Sequence, residues 1–330
     1  MKHVYVAVAA GLLGWGLTGL VLAAVRKSQH LAPPSERGLH QTPTPVGGGL
    51  GLMGATLAMW AIGQWPLSPV ATTIFAAMIA LAFISWWDDR QPLPPIVRFA
   101  AQIIVVFLVL WNLPVNVRLF PGLPSGLERA GLAIAWLWMI NLTNFMDGID
   151  GLAGTEAISI GLGYALLVTL VPGGKPLLSE LPELALILAA AAIGYLFWNW
   201  APAKIFMGDT GSIPLGFVFG LLMLDLTLRG QWAAAIILPL YFIFDATLTL
   251  LDRLGRRVKP WEAHREHAYQ RAVLAGMTHA AVTKHVAVLN IALVALAILS
   301  ASYQWESLAA AVVLTLLLRT WLHTRQVRGK

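Results

Sequence analysis

Residues 4–25 read VYVAVAAGLLGWGLTGLVLAAV, a run without one charge, bracketed by Lys2 on one side and Arg26-Lys27 on the other. About 30 Å of hydrocarbon asks for roughly 20 apolar residues in a helix, so this run is long enough to cross a bilayer. It also exceeds the roughly 7–15 apolar residues of a cleaved signal sequence, and more runs follow it. Working outward, they recur at 48–65, 69–87, 97–113, 129–145, 152–172, 182–201, 211–228, 232–251, 284–303 and 306–322. The expectation is an all-α, polytopic integral membrane protein of eleven transmembrane helices, one domain over 1–330. Its longest polar stretch is a loop at 252–283. Pro214 falls near the start of the eighth run, where a helix tolerates proline.

Composition agrees. The 330 residues are 58% hydrophobic and 12% charged, with no cysteine. Soluble domains carry about 25% charged residues. Disulfide scaffolds, cysteine-ligated zinc or iron–sulfur centres, thiol catalysis and intrinsic disorder are excluded. The net charge is +6. With segment 26–47 placed in the cytoplasm, 17 of the 22 Lys and Arg fall on that side and 5 on the other. That bias puts the N-terminus outside and the C-terminus in the cytoplasm. It explains the positive charge through the lipid bilayer, without nucleic acid.

The carboxylates are distributed unevenly too. Asp88, Asp89, Asp147, Asp150, Asp209, Asp245 and Asp252 lie at or near cytoplasmic helix ends, and only Asp225 lies toward the outer end. Charge near hydrocarbon is costly, so the clustering asks for a divalent cation or phosphate-binding bases.

Individual motifs sharpen this. Asp88 and Asp89, in Trp86-Trp87-Asp88-Asp89-Arg90, oppose a helix dipole and repel each other; a metal or a shared proton relieves both, and pairing with Arg90 is the plain alternative. Asn141 to Gly151 holds two Asn and two Asp, with Asp147 and Asp150 three apart, a spacing that could put them on one helix face. This oxygen-rich, sulfur-free set suits magnesium or manganese, the alternative being a capped turn. Asn199 to Ser212 opens the eighth helix, where free N–H groups and Lys204 favour an anion, or where Asp209 serves as N-cap. Thr42 to Gly49, after Arg37 to His40, reads as a phosphate cradle or a loop with a polyproline start. In the long loop, His264 and His267 at i, i+3 face one way on a short helix. With Arg265 and Arg271 they suit a diphosphate or a lipid phosphate, or they form an interfacial basic helix. Thr278 reads as the N-cap of the following span. Asp245 and Arg253 either pair or line the site, and Glu156 receives no role.

Taken in chain order from about residue 37 to 271, these elements resemble the polyprenyl-phosphate N-acetylhexosamine-1-phosphate transferases. The matching parts are Thr42 to Gly48, Asp88-Asp89, Asn141 to Gly154, Asn199 to Ser212, Asp245 to Arg253 and His264 to His267. The resemblance implies transfer of a sugar-1-phosphate from a UDP-sugar to undecaprenyl phosphate, releasing UMP, with magnesium or, in its place, manganese. It implies that Asp209 ligates the metal, with Asp147 as the second metal residue. Asp88, Asp89 and Asp147 would lie in the catalytic centre, with His264 and His267 as the histidine motif. Asn144, Asp150 and Asn199 would bind or position the nucleotide-sugar, and Arg98, Lys204, Arg265 and Arg271 complete the expected substrate-binding set. The implied location is a bacterial inner membrane; a homodimer is left open.

Within the family, the cell-wall branch, the phospho-N-acetylmuramoyl-pentapeptide transferases, carries adjacent histidines where this chain has His264-Arg265-Glu266-His267. It also tends to use lysines where this chain has Arg90 and Arg98. The chain is more similar to the branch that initiates O-antigen or other surface polysaccharides, including enzymes using 6-deoxy-N-acetylhexosamines. The pentapeptide transferase stays as the alternative. The rivals from other classes are a non-catalytic lipid-binding protein and a cation-coupled transporter, which would place its acids near the bilayer midplane.

Overall fold

The computed structural model describes residues 2–28, 31–32, 43–64, 67–114, 117–259 and 264–325. Thr42 and the basic stretch Arg37 to His40 lie outside the described residues. The elements are α1 (Lys2–Ser28), β1 (Leu31–Ala32), β2 (Thr44–Pro45), α2 (Gly49–Gln64), α3 (Pro69–Arg90), α4 (Pro95–Asn112), α5 (Ser125–Phe145), α6 (Leu152–Leu170), α7 (Leu181–Asn199), α8 (Asp209–Leu228), α9 (Trp232–Ile237), α10 (Leu240–Gly255), α11 (Ala268–Leu274), α12 (His279–Leu299) and α13 (Gln304–His323). The fold is all-α and polytopic, apart from the short antiparallel pair β1–β2.

Among the described residues, eight helices, α1, α3, α4, α6, α7, α8, α12 and α13, are long and apolar enough to cross a membrane. The run 232–251, expected as one helix, is two. α9 stops at Ile237 and α10 starts at Leu240, with Pro239 between them. Proline lacks the N–H that an unbroken helix needs and crowds the preceding turn. Apolar residues continue through the break, so composition alone does not mark it.

Helix starts follow local chemistry. Ser68 caps α3, accepting from Ala71 N at 3.2 Å, and proline fills the first helical position. Thr278 caps α12 as expected, accepting from Ala281 N at 3.1 Å. α8 is the most enclosed span, packed against α2, α3 and α5, while α7 is packed by α1, α2 and α6. Trp136 of α5 stacks on Phe217 of α8 at 5.0 Å and donates Nε1–H to the Phe217 carbonyl at 2.9 Å. The end of α3, the start of α4, the end of α5, the end of α7 and the start of α8 all meet at one end of the bundle, around one cavity.

Candidate active site

The floor of the site is a backbone contact. Gly47 N and Gly48 N donate to the Phe206 carbonyl at 3.2 and 2.8 Å, and Gly49 N donates to that of Met207 at 2.9 Å. A Cβ on Gly49 would lie 2.3 Å from the Gly211 Cα, so only glycine permits this approach. The run expected as a phosphate cradle therefore spends its N–H groups on the segment before α8.

The start of α8 is likewise already engaged. Gly208, at φ +75°, holds the N-cap position, and Asp209 is the first helical residue. A Cβ on Gly208 would come within 2.6 Å of Asp89 Oδ2. Its absence lets Asp89 accept from Asp209 N (3.1 Å), Thr210 N (3.1 Å) and Thr210 Oγ1 (2.5 Å). The anion expected at this helix start is thus a side chain of the protein itself. Asp209 is not the N-cap.

Asp209 is held from both sides. Asn144 Nδ2 donates to its Oδ1 at 2.7 Å and to Ser212 Oγ at 2.9 Å. Arg98 Nη1 donates to its Oδ2 at 3.1 Å and to Asp88 Oδ2 at 2.8 Å. Asp88 Oδ1 accepts from Leu93 N at 2.7 Å. Asp88 is buried behind Arg98 and is not among the cavity-lining residues, whereas Asp89, Arg98, Asn144, Asp147 and Asp209 are. The Asp147 side chain accepts no hydrogen bond among the described residues. Burial, then the charges of Asp209, Asp89 and Asp150, push its carboxyl well above the usual range.

Asp150 and Asn199 line the cavity but hold the protein together. Asp150 Oδ2 accepts from Ala203 N at 2.9 Å, Oδ1 lies 3.1 Å from His279 Nδ1, and the Asp150 carbonyl accepts from Thr283 Oγ1 at 2.9 Å. Asn199 accepts from Gly151 N and donates to the Ile205 carbonyl, both at 2.9 Å. They tie the 146–151 and 200–208 loops to α7 and α12.

The histidine loop docks through α10. Asp245, fully buried, accepts from Ala268 N at 2.8 Å and Tyr269 N at 3.3 Å, and lies 3.5 Å from Arg319 Nε. Arg253 pairs with Glu266 rather than with Asp245. Tyr269 donates to the Phe145 carbonyl at 2.8 Å. His264 and His267 meet with ring centroids 4.9 Å apart and both line the cavity. They do so from the loop before α11, which starts only at Ala268, not from the short helix expected. Burial pushes His267 below its usual range.

Three of the expected bases stand elsewhere. Lys204 is exposed, its Nζ 5.2 Å from the Trp198 ring and 5.7 Å from that of Phe197. Arg271 is exposed, its Nη1 2.9 Å from His323 Nε2. Neither lines the cavity, and Arg265 does not line it either. Sequence reasoning assigned no role to Gln102, Tyr269 or His279, all of which do. A lone amide in an apolar span was the available signal for Gln102; His279 had none, since its partner lies 129 residues away.

Among the described residues, no three His, Asp or Glu side chains stand close enough to hold a metal ion. Asp88, Asp147 and Asp209 are therefore not a ready-made cage, and Asp88 is already spent on Arg98 and Leu93. Magnesium is usually held by one or two carboxylates completed by substrate phosphates and water. Asp209 and the unpartnered Asp147, whose charges repel each other beside a cavity of about 650 Å³, fit that demand.

Fold and site together define a multi-pass membrane protein with a carboxylate-rich cavity at one end of its helices. The description "Glycosyl transferase family 4" matches residues 71–227. A Bacillus subtilis protein named "Probable undecaprenyl-phosphate N-acetylglucosaminyl 1-phosphate transferase" is 29% identical over 274 residues, covering 80% of this chain and 75% of its own. A phospho-N-acetylmuramoyl-pentapeptide-transferase of Gloeothece citriformis is 30% identical over 261 residues, 72% of this chain and 67% of its own. A decaprenyl-phosphate N-acetylglucosaminephosphotransferase of Mycobacterium leprae is 29% identical over 239 residues, 64% and 58% of the two chains. The match thus spans less than two thirds of the mycobacterial relative. The chain belongs to the polyprenyl-phosphate N-acetylhexosamine-1-phosphate transferase family, a bacterial multi-pass membrane group.

Proposed function

We propose that the protein transfers an N-acetylhexosamine-1-phosphate, or its 6-deoxy counterpart, from a UDP-sugar to undecaprenyl phosphate. The products are undecaprenyl-diphospho-sugar and UMP, and the reaction initiates a surface polysaccharide such as O-antigen. It takes place at the cytoplasmic face of the bacterial inner membrane. One observation carries this reading: Asp89, Arg98, Asn144, Asp147 and Asp209 come from four separate stretches of chain to line one cavity where the helices end. Acids at helix ends, rather than at mid-span, argue against a cation-coupled transporter.

The acceptor phosphate is already largely ionised near neutral pH, given a second pKa of about 6, so it needs placement more than deprotonation. Phosphoryl transfer is mostly in-line positioning and charge stabilisation. Asp209 and Asp147 would hold magnesium, which neutralises diphosphate charge and supports UMP as leaving group. Asn144 fixes the Asp209 carboxylate, and Arg98 supplies a cation within reach of the same site. Asp88 and Asp89, expected in the catalytic centre, act through what they hold: Asp88 aims Arg98, and Asp89 anchors the start of α8. The acceptor attacks directly. An aspartyl intermediate would bring a carboxylate nucleophile against a diphosphate and add repulsion. The histidine loop closes the cavity beside Asp147, with His267 neutral near pH 7.

The test is UMP release by purified protein with undecaprenyl phosphate and a panel of UDP-sugars, 6-deoxy sugars included. UMP from a UDP-N-acetylhexosamine supports the reading; no UMP from any of them rejects it. The Gloeothece relative supplies the second reading, and UDP-N-acetylmuramoyl-pentapeptide in the same panel separates the two.

A further inference from the structure

One turn deeper than Arg98, the cavity wall carries an amide pair that the mechanism above does not use. Gln102 of α4 follows Arg98 by four residues, about 6 Å along the helix and on the same face. Asn141 of α5 precedes Asn144 by three. Asn141 Nδ2 donates to the Leu137 carbonyl at 2.8 Å and to Gln102 Oε1 at 2.8 Å. A carbonyl only accepts, so the first bond fixes which end of the Asn141 amide is nitrogen. The second then fixes Gln102: its oxygen is turned to Asn141 and its NH2 is turned away. Gln102 is 5% exposed and lines the cavity; among the described residues its Nε2 donates to no group, and the atom opens onto the cavity rather than being sealed in protein. A donor fixed in this direction and facing the cavity is free to bond a ligand there.

The position decides what that ligand is. A nucleotide-sugar enters from water at the helix ends, whereas an isoprenoid phosphate enters from the bilayer. The lining contributed by α3 and α4 includes the apolar Leu81, Ile84 and Phe99 beside the polar Ser85, Arg98 and Gln102. We propose that the Gln102 amide donates to the phosphate of the lipid acceptor, with Leu81, Ile84 and Phe99 lying along the first part of its hydrocarbon chain. Gln102 and Arg98 then hold the acceptor phosphate from two successive turns of one helix. This inference rests on the transferase reading above.

The experiment measures UMP release by the purified full-length protein, varying undecaprenyl phosphate and the UDP-sugar separately. Gln102→Met removes both amide functions. Gln102→Glu keeps an oxygen for Asn141 but loses the donor and, at pH 8, faces the phosphate with charge. Both variants are expected to raise KM for the lipid about ten- to a hundredfold, while KM for the UDP-sugar stays within about twofold. Gln102→Asn, one carbon shorter, gives the same reading should either variant fail to fold by thermal unfolding in detergent. An unchanged lipid KM overturns the proposal. So does a rise confined to the UDP-sugar KM, which would make the amide a sugar reader. Wild-type lipid KM in Gln102→Glu but not in Gln102→Met overturns it as well, because Gln102 would then serve only to hold Asn141. A wild-type protein that releases no UMP with any UDP-sugar defeats the transferase reading instead, which is a different result.

Discussion

The two ends of the helical bundle both bury carboxylates, and they treat them in opposite ways. At the end away from the cavity, Asp225 is fully buried and completely occupied. It accepts from Tyr164 Oη at 2.5 Å, Leu177 N at 2.6 Å and Arg229 Nε at 2.5 Å. Glu128 is similar, accepting from Leu119 N, from Phe120 N at 3.0 Å and from Arg118. Each of these acids has a cation of its own and staples a neighbouring loop. At the cavity end one arginine is divided between two carboxylates: Arg98 serves Asp88 and Asp209, Asp89 relies on N–H and hydroxyl donors, and Asp147 has no donor among the described residues. Buried charge without a partner is expensive, so its persistence marks a place reserved for something that binds. Satisfied acids build the fold; the crowded ones are those that the proposed reaction uses.

The contrast is open to direct attack. Asp209→Asn should remove activity by a factor on the order of 10²–10³ or more in kcat while the thermal unfolding midpoint in detergent barely moves, since electrostatic groups at a reacting centre are worth about that much. A collapse of stability instead would put Asp209 with the structural acids. Asp225→Ala should do the reverse, leaving Arg229 without its partner at a cost of about 3–5 kcal/mol of stability while kcat per folded molecule holds. Asp245→Ala falls between the two. It strips the start of α11 of its acceptor, a loss of about 1–2 kcal/mol by analogy with helix caps. Because it frees the loop that carries His264 and His267, it should also raise KM for the UDP-sugar and speed proteolysis at 264–271.

The smallest effect is a pH dependence. Burial depresses His267 in the folded protein, with Arg319 and Arg253 adding to it and Asp245 opposing. The unfolded chain takes up the proton near pH 6.5, the folded chain only below that. The contribution is therefore intact above about 6.5 and is lost as pH falls below it. Comparing unfolding midpoints of wild type and His267→Gln between pH 7.5 and 5.5 checks this: the variant's profile should be flatter.

Much of this arrangement is written locally. The uncharged run 4–25 and its successors state the membrane class, because a helix satisfies its own backbone and hydrocarbon demands only length and apolarity. The N-cap at Thr278 is legible for the same reason: cap and partner are three residues apart. Asp88-Asp89, Asn141 to Asp150 and Asp209 mark the right end of the bundle through the cost of charge there. What is not legible is how those acids are shared out. That Asp89 serves α8, that Arg98 reaches Asp209 and that Asp150 meets His279 depend on helix packing across 111 to 129 residues of chain. Lys204 shows the same limit from the other side. It stands next to the right motif, yet its side chain lies over Trp198, because proximity in sequence does not set direction. Pro239 was visible all along, but its effect was hidden by apolar neighbours on both sides.

The central claim, that the crowded acids serve phosphosugar transfer, meets its most direct test in one titration. UMP release from a UDP-N-acetylhexosamine is followed in wild type and Asp209→Asn, with undecaprenyl phosphate present or omitted, in magnesium and then in EDTA. The account predicts UMP only from wild type, only with the lipid, and only with the metal. Sustained release in EDTA, or from Asp209→Asn, would contradict it.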